Sequence, residues 1–461
     1  MKWNKFFGDR KFYRTMLTIA IPIMIQNGIT NFVSLLDNIM VGQVGTTQMS
    51  SVSIVNQLIF VYNLCIFGGL SGAGIFSSQY VGKGDSEGLR YTVRFKLWIG
   101  AILTLIGLLV FQFGGSQLIT LYLNGQADTA DSSAALQYGL DYLSVMLVGL
   151  IPFAISQIYS STLRETGETM LPMKAGVTAV FVNLFFNYIL IFGHFGAPAL
   201  GVTGAAIATV ISRFVECFIV VGWTHLHSKQ NSYIVGLYRS LYIPATLTKE
   251  IIIKGMPLLV NEALWSAAMA FLLQCYSIRG LSVIAAMNIN STLQNIFNIV
   301  FISMGSTVSI IVGQQLGSGK MEEAKSTATK MIVFSTLTSV FTGLLMTLFS
   351  SVFPRFYNTT EEVRALASQL IIVCAVTMPL FAFTNASYFT LRSGGKTVIT
   401  FLFDSFYVWL VNIPLAYCLN HFTGLPVVAI YLIVQCSELL KCMVGGIMVH
   451  KGVWLNNMVD D

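Results

Sequence analysis

Four polar side chains stand in stretches that are otherwise apolar: Asp37, Asn183, Asn187 and Thr209. Asp37, in LLDNIMVGQVG, is the one acid deep in its stretch. A carboxylate inside a membrane-spanning segment is costly, so it faces a partner or a watery cavity and marks an ion or proton path. The alternative is an acid that snorkels to the headgroups. Asn183 and Asn187, in VNLFFNYILIFG, are i and i+4 and share one helix face. Thr209 lies in GAAIATVISR. Helical rise counted from the outer ends puts Asp37 roughly 6 Å deep, Asn187 about 8 Å, Thr209 about 12 Å and Asn183 about 14 Å. One carboxylate, two amide oxygens and a hydroxyl make a hard-oxygen cage suited to a small cation, Na⁺ included. The same set would tune a protonatable Asp37, with H⁺ as the ion. The plain alternative is amides and a hydroxyl that only hold helices together.

Two further residues carry expectations. Glu262, in MPLLVNEALWS, sits about 20 Å from the inner end of its span, near mid-membrane. It would attract a cationic substrate or bind a cation, or serve as an interhelical hydrogen-bonding acid. Pro22 stands in an early turn of the Asp37 stretch, where a missing N–H and a ring clash kink a helix. A kink at one end and a titratable group at the other make a lever, with Pro22 as its hinge. Arg213/Glu216 and Glu438/Lys441 are i,i+3 pairs within apolar runs and read as structural ion pairs.

The elements that position these residues are membrane helices. The chain has 461 residues, 55% hydrophobic and 10% charged, with net charge +6. Soluble domains carry about 25% charged residues, so lipid must be most of this chain's solvent. Apolar runs of spanning length recur at 15–41, 51–77, 93–115, 135–161, 169–192, 201–225, 249–278, 283–312, 327–352, 363–391, 397–420 and 425–449. Backbone groups in lipid must be satisfied internally, which makes each run a helix. The basic N-terminus runs into an apolar stretch with no small-residue cleavage site, so the first run reads as an uncleaved span.

Lys and Arg set the orientation. Lys2, Lys5, Arg10, Lys11, Arg14, Lys83, Arg90, Arg94 and Lys96 lie on one side, as do the basic residues of the later even-numbered turns. The other side holds only Arg279, Arg355 and Arg364, and its loop around Asp128 and Asp131 has no basic residue. Both termini are therefore expected in the cytoplasm, with the chain in the inner membrane.

The chain is internally duplicated. A shift of 235 residues lays Pro22 on Pro257, Gly45 on Gly280, Asn63 on Asn298, Gln79 on Gln314, Gly82 on Gly317 and Gly84 on Gly319. QYVGKGDSEGLR thus repeats as QQLGSGKMEEAK. With a slightly shorter shift, IPFAISQIYSSTLRETGET matches MPLFAFTNASYFTLRSGGKT. Two parallel six-span lobes follow, 1–226 and 249–461, joined by a polar cytoplasmic linker at 227–248. Their expected axis is normal to the membrane, with a cavity between them. The fold class is an all-α membrane protein of twelve helices.

Enzyme chemistry is not indicated. There is no HExxH, GxSxG or Walker loop, and the seven cysteines form no CxxC pair. No cofactor and no nucleic acid are expected, and without a nucleotide site work must come from an ion gradient or there is none. The expected partners are the lipid bilayer and a small amphipathic molecule, and the chain is expected to act as a monomer.

Taken together and in order, LLDNIMVGQVG, QYVGKGD, LRETGET, VNLFFNYILIFG and GVTGAAIATVISR resemble the multidrug and toxic compound extrusion (MATE) transporters. The resemblance covers essentially the whole chain. It implies two six-helix lobes and export of drugs in exchange for Na⁺ or H⁺. It places the family's helix-1 acid on Asp37, its bending proline on Pro22, its helix-5 polar pair on Asn183 and Asn187, and its helix-6 threonine on Thr209. Two departures stand out. Some members have an acid where Asn187 stands. Members with a cation site in the second lobe have acids in helices 7 and 10. Here Glu262 comes about one turn early, Trp265 stands in the helix-7 slot, and span 10 has no acid. The alternatives are a flippase for a lipid-linked saccharide or lipid II, and a membrane transferase. The first calls for a more basic cavity. The second needs paired acids, and no DxxxD or DDxxD falls in the spans.

Overall fold

The structure, a computed structural model, describes residues 6–123, 129–357 and 359–460. Lys2, Lys5 and Asp128, which entered the orientation argument, lie outside the described residues, as does the side chain of Asp131. The described chain is helical throughout. The long helices are α1 (Arg10–Gly42), α2 (Thr46–Lys83), α3 (Ser86–Leu123), α4 (Thr129–Glu165), α5 (Met170–Phe192) and α6 (Gly201–Leu226). They continue with α7 (Ala245–Ser277), α8 (Leu281–Gly317), α9 (Met321–Phe349), α10 (Glu361–Ser393), α11 (Thr397–Phe422) and α12 (Val427–Lys451). Among the described residues, eleven of these are long and apolar enough to cross a membrane. The 33-residue α1 is the twelfth long helix. Each corresponds to one expected run, and most overshoot it into charged residues. The α1 helix starts five residues before the apolar run because Asp9 caps it: the Phe12 N–H donates to Asp9 Oδ1 at 2.8 Å.

The sequence repeat has a structural meaning at the helix ends. Gly84 and Gly319 both have left-handed φ, +77° and +74°. After α2, Asp85 N–H donates to Tyr80 O and Gly84 N–H to Val81 O; after α8, Lys320 N–H donates to Gln315 O and Gly319 N–H to Leu316 O. These are paired Schellman closures, which need a residue without Cβ at the left-handed position. The turns after α4 and α10 repeat the device, with Glu168 N–H donating to Leu163 O and Lys396 N–H to Leu391 O.

The chain forms two compact units. A carboxy unit comprises Met1–Met24, Ser78–Asp85 and Ile252–Asp461, and an amino unit comprises Ile25–Ser77 and Ser86–Ile251. In the carboxy unit, Met16 and Ala20 of α1 share a core with Met304, Val308 and Val312 of α8, Met331 of α9 and Trp454. In the amino unit, Lys96 of α3 is fully buried. It donates to Ser161 and Thr162 hydroxyls and to Glu165 Oε2 on α4. Gly74 of α2 makes room for that carboxylate, since a Cβ there would meet Glu165 Oε1 at 2.7 Å.

The segment between α6 and α7 is packed rather than loose. It makes two short 3₁₀ turns, Ser232–Ile234 and Leu237–Arg239, and buries Tyr233, Ile234 and Leu237. Burial, and secondarily the Glu165 carboxylate, push the Tyr233 phenol pKa up. Arg94 of α3 anchors the segment by donating to Leu237 O, Gly236 O and Tyr242 O, each at 3.0 Å. Arg94 entered the orientation reading only through its charge. Its guanidinium fork instead satisfies three main-chain carbonyls that have no helix to join.

Candidate functional site: a polar chain in the amino unit

Three helices bring the four predicted residues together. Asn187 on α5 donates through Nδ2 to Asp37 Oδ1 on α1 at 2.5 Å and to Asn183 Oδ1 at 3.0 Å. Asn183 Nδ2 donates in turn to Thr209 Oγ1 on α6 at 3.3 Å. The Thr209 hydroxyl donates to Ala205 O, one turn back, at 3.0 Å. The i,i+4 spacing of the two Asn residues is what lets one amide hand on to the next. Both amides are buried, Asn183 at 4% and Asn187 at 1% exposure, while Asp37 and Thr209 are half-buried. The result is an unbroken hydrogen-bonded line from the carboxylate to the hydroxyl.

One atom of the line is left over. Among the described residues Asn187 Oδ1 is buried without a hydrogen-bond partner, and a buried unpaired acceptor is costly. It belongs to the amide whose Nδ2 meets Asp37. The donor set therefore suits a small monovalent cation or a proton: one carboxylate supplies one charge, and the neutral oxygens complete a hard shell. Among the described residues no group of three or more His, Cys, Asp or Glu could hold a metal ion.

Sequence reasoning missed Tyr142. This α4 residue is 4% exposed, its hydroxyl donates to Asn56 Oδ1 at 3.2 Å, and it lies within electrostatic reach of Asp37 and Arg213. A tyrosine in an apolar run carries no signal of its own, since most such rings simply pack. Arg213 departs from the i,i+3 expectation. Its guanidinium donates to Gly149 O at 3.2 Å and stands over the Phe153 ring at 4.9 Å. Glu216 is its electrostatic neighbour rather than a close ion pair.

Pro22 is buried within α1, which continues through it as one helix. The α1 helix leaves the carboxy unit after Met24, two residues beyond the proline.

Glu262 belongs to the carboxy unit and does not join the Asp37 line. Arg392 and Asp404 lie within its electrostatic reach. Its neighbour Asn261 donates to Asp404 Oδ2 at 3.0 Å and accepts from the Ser405 hydroxyl at 2.7 Å. Lys441 of α12 lies 3.0 Å from Glu438 and 3.9 Å from Asp404. The expected Glu438/Lys441 pair is thus one part of a network over α7, α11 and α12. Asp404 sits where α11 widens into two π-helical segments, Leu402–Phe406 and Val408–Asn412. Such widened turns often accompany functional sites. Asp404 was legible by the rule that picked out Asp37, an acid inside an apolar run. The same unit has a cavity of about 600 Å³ lined by Phe7, Lys11, Phe12, Gln315 and Lys330 among others; it contains none of the predicted site residues.

Long apolar helices, a duplicated chain and a buried polar line with one carboxylate define a multi-pass membrane protein. The chain belongs to the MatE family, whose model matches residues 22–189 and 257–418. It is 23% identical over 446 residues to a probable multidrug resistance protein NorM of Thermotoga maritima, covering 96% of this chain and 93% of that one. It is 27% identical over 414 residues to the multidrug resistance protein MdtK of Yersinia pseudotuberculosis, covering 88% and 87%. Its fold matches a solved outward-facing MATE family transporter of the MOP superfamily with a TM-score of 0.84, 18% identity, and coverage of 98% and 99%. A Vibrio cholerae MATE transporter, VcmN, matches with a TM-score of 0.84, 17% identity, and coverage of 97% and 98%. The all-helical, two-lobed membrane fold anticipated from the sequence is the fold of this family.

Proposed function

We propose that the chain is a cation-coupled antiporter that exports amphipathic, cationic compounds by alternating access. The observation that carries this reading is the Asp37–Asn187–Asn183–Thr209 line, one carboxylate held by an amide N–H and linked through a second amide to a hydroxyl in a MatE-family fold. The multidrug resistance names of the relatives support drug-like substrates. In this reading the lobes 1–226 and 249–461 move against each other, both termini are cytoplasmic, and the protein lies in the inner membrane as a monomer. Binding of H⁺ or Na⁺ at Asp37 neutralises the charge that Asn187 now solvates. That favours one conformation by the ion's differential affinity for the two. Glu262 supplies a negative charge toward cationic substrates, tempered by Arg392.

Transport in proteoliposomes tests this, with a Na⁺ gradient and a proton gradient imposed separately. One gradient is expected to drive uphill export in the wild type and neither in Asp37→Asn. The same vesicles, loaded with a cationic and a neutral dye, test Glu262→Gln. That variant is expected to raise the apparent Kd of the cationic dye alone. Full-rate export by Asp37→Asn, or an unchanged dye ratio with Glu262→Gln, refutes the respective role.

A further inference from the structure

The last residues of the chain lie across the inner ends of α2, α8 and α10 as a strap, Gly452–Asp460. Trp454 is fully buried in the carboxy-unit core and donates from Nε1 to Val449 O at 3.2 Å. The chain passes so close to the α10 turn that a Cβ on Gly394 would meet Trp454 O at 1.7 Å. The strap then reaches one buried side chain of α2, Gln79. Its Nε2 donates to Ser393 O at 3.0 Å and Asn456 O at 3.2 Å, and its Oε1 accepts from Met458 N–H at 2.7 Å. One turn on, Lys83 Nζ donates to Val459 O and lies 3.9 Å from Asp460. Asn457 Nδ2 donates to Gly317 O at 3.5 Å.

Beneath the strap, α2 and α8 touch backbone to backbone. A Cβ on Gly82 would meet Gln314 O at 1.8 Å, and one on Gly317 would meet Gln79 O at 1.8 Å. The contact is reciprocal because the four residues are related by the sequence repeat. The strap is not. It grips Gln79, which is 0% exposed, whereas the repeat-related Gln314 is half-buried. The grip also falls where α2 changes units, since Ser78–Asp85 belongs to the carboxy unit and the rest of α2 to the amino unit.

We propose that Gln79 and the strap form a pin that holds the inner end of α2 against α8 and sets how readily that end opens during transport. Every group in the pin is a main-chain amide, a side-chain amide, an ammonium or a carboxylate. Each of these pairs with water on release, so the pin is reversible. Gln79 is a positioning residue: it touches neither ion nor substrate and acts through α2. The pin rests on the transport reading only for its consequence, because its opening is measurable without transport.

The test uses the full-length chain in lipid nanodiscs with its own cysteines replaced and spin labels at Asp85→Cys and Ser318→Cys. Gln79→Met keeps the volume and removes all three hydrogen bonds; Lys83→Met cuts only the partly exposed outer link. Gln79→Met is expected to speed hydrogen exchange at the Met458 amide by roughly tenfold. Both variants are expected to enrich a longer 85–318 distance at the expense of a short one. Unchanged exchange and distances overturn the pin, and so does a strap that exchanges freely while the distance stays short. If Gln79→Met does not fold, Lys83→Met decides by the same distance. A distance that lengthens in a chain unable to move any dye refutes the transport reading and leaves the pin standing.

Discussion

Asn187 makes both hydrogen bonds that tie Asp37 to the rest of its polar line. Truncating it leaves the carboxylate without its donor, whereas truncating Thr209 removes only the far end. Hydrogen bonds to charged groups contribute about 1.5–3 kcal/mol, which corresponds to roughly ten- to a hundredfold in affinity. Asn187→Ala is therefore expected to shift the half-saturating ion concentration for efflux by up to that factor, Asn183→Ala by less, and Thr209→Ala least. Titrating the coupling ion against efflux rate at fixed drug gives the order. Equal effects from all three would mean that the line acts as helix packing. Asp37 and its partners were legible because polar residues in lipid stand out against an apolar background. Tyr142 was not, because a tyrosine is also an ordinary core residue and only the fold shows what its hydroxyl faces.

Two helices carry the element-scale expectations. In α1, Pro22 removes a backbone donor two residues before the helix changes units. Pro22→Ala restores that donor and lifts an interior-proline penalty of about 3 kcal/mol. The variant is expected to unfold no earlier than wild type on heating, to bind drug normally and to turn over more slowly. Thermal unfolding beside single-turnover efflux checks this, and wild-type turnover would remove the hinge role. In α12, Lys441 neutralises a Glu438 that is 2% exposed, and among the described residues one oxygen of that carboxylate has no partner. Lys441→Met strands that charge, and breaking a buried pair costs about 3–5 kcal/mol. A clear fall in unfolding temperature is expected, with most of it recovered by adding Glu438→Gln. The helices themselves were legible in number and place from apolar run length, though their ends fall up to eight residues from the ends of the runs. The π-helical widening of α11 was not, because hydropathy is blind to a change in hydrogen-bond register.

At the scale of the molecule, the repeat was the most informative signal, and its glycines serve as turn closures and a backbone contact. The make-up of the compact units was not legible, because nothing in a hydropathy profile says that the start of α1 and the tip of α2 pack with residues beyond 252. A chain ending at residue 226 is accordingly expected to insert its six spans yet leave Gln79 and the start of α1 uncovered. Limited proteolysis of that fragment should cut within 10–24 or 78–85. Co-expression with 227–461 should restore protection there, and a fragment already resistant alone would contradict the unit assignment.

The shared core of Met16, Ala20, Met304 and Trp454 also fixes a schedule. Met16 and Ala20 leave the ribosome more than four hundred residues ahead of Trp454. At roughly 5–20 residues per second, the start of α1 spends on the order of half a minute in the bilayer before Trp454 is made. During biosynthesis that interval is the protein's exposed period. Slowed translation late in the message, or loss of a membrane chaperone, should harm its yield more than that of a protein whose first helix packs with its second.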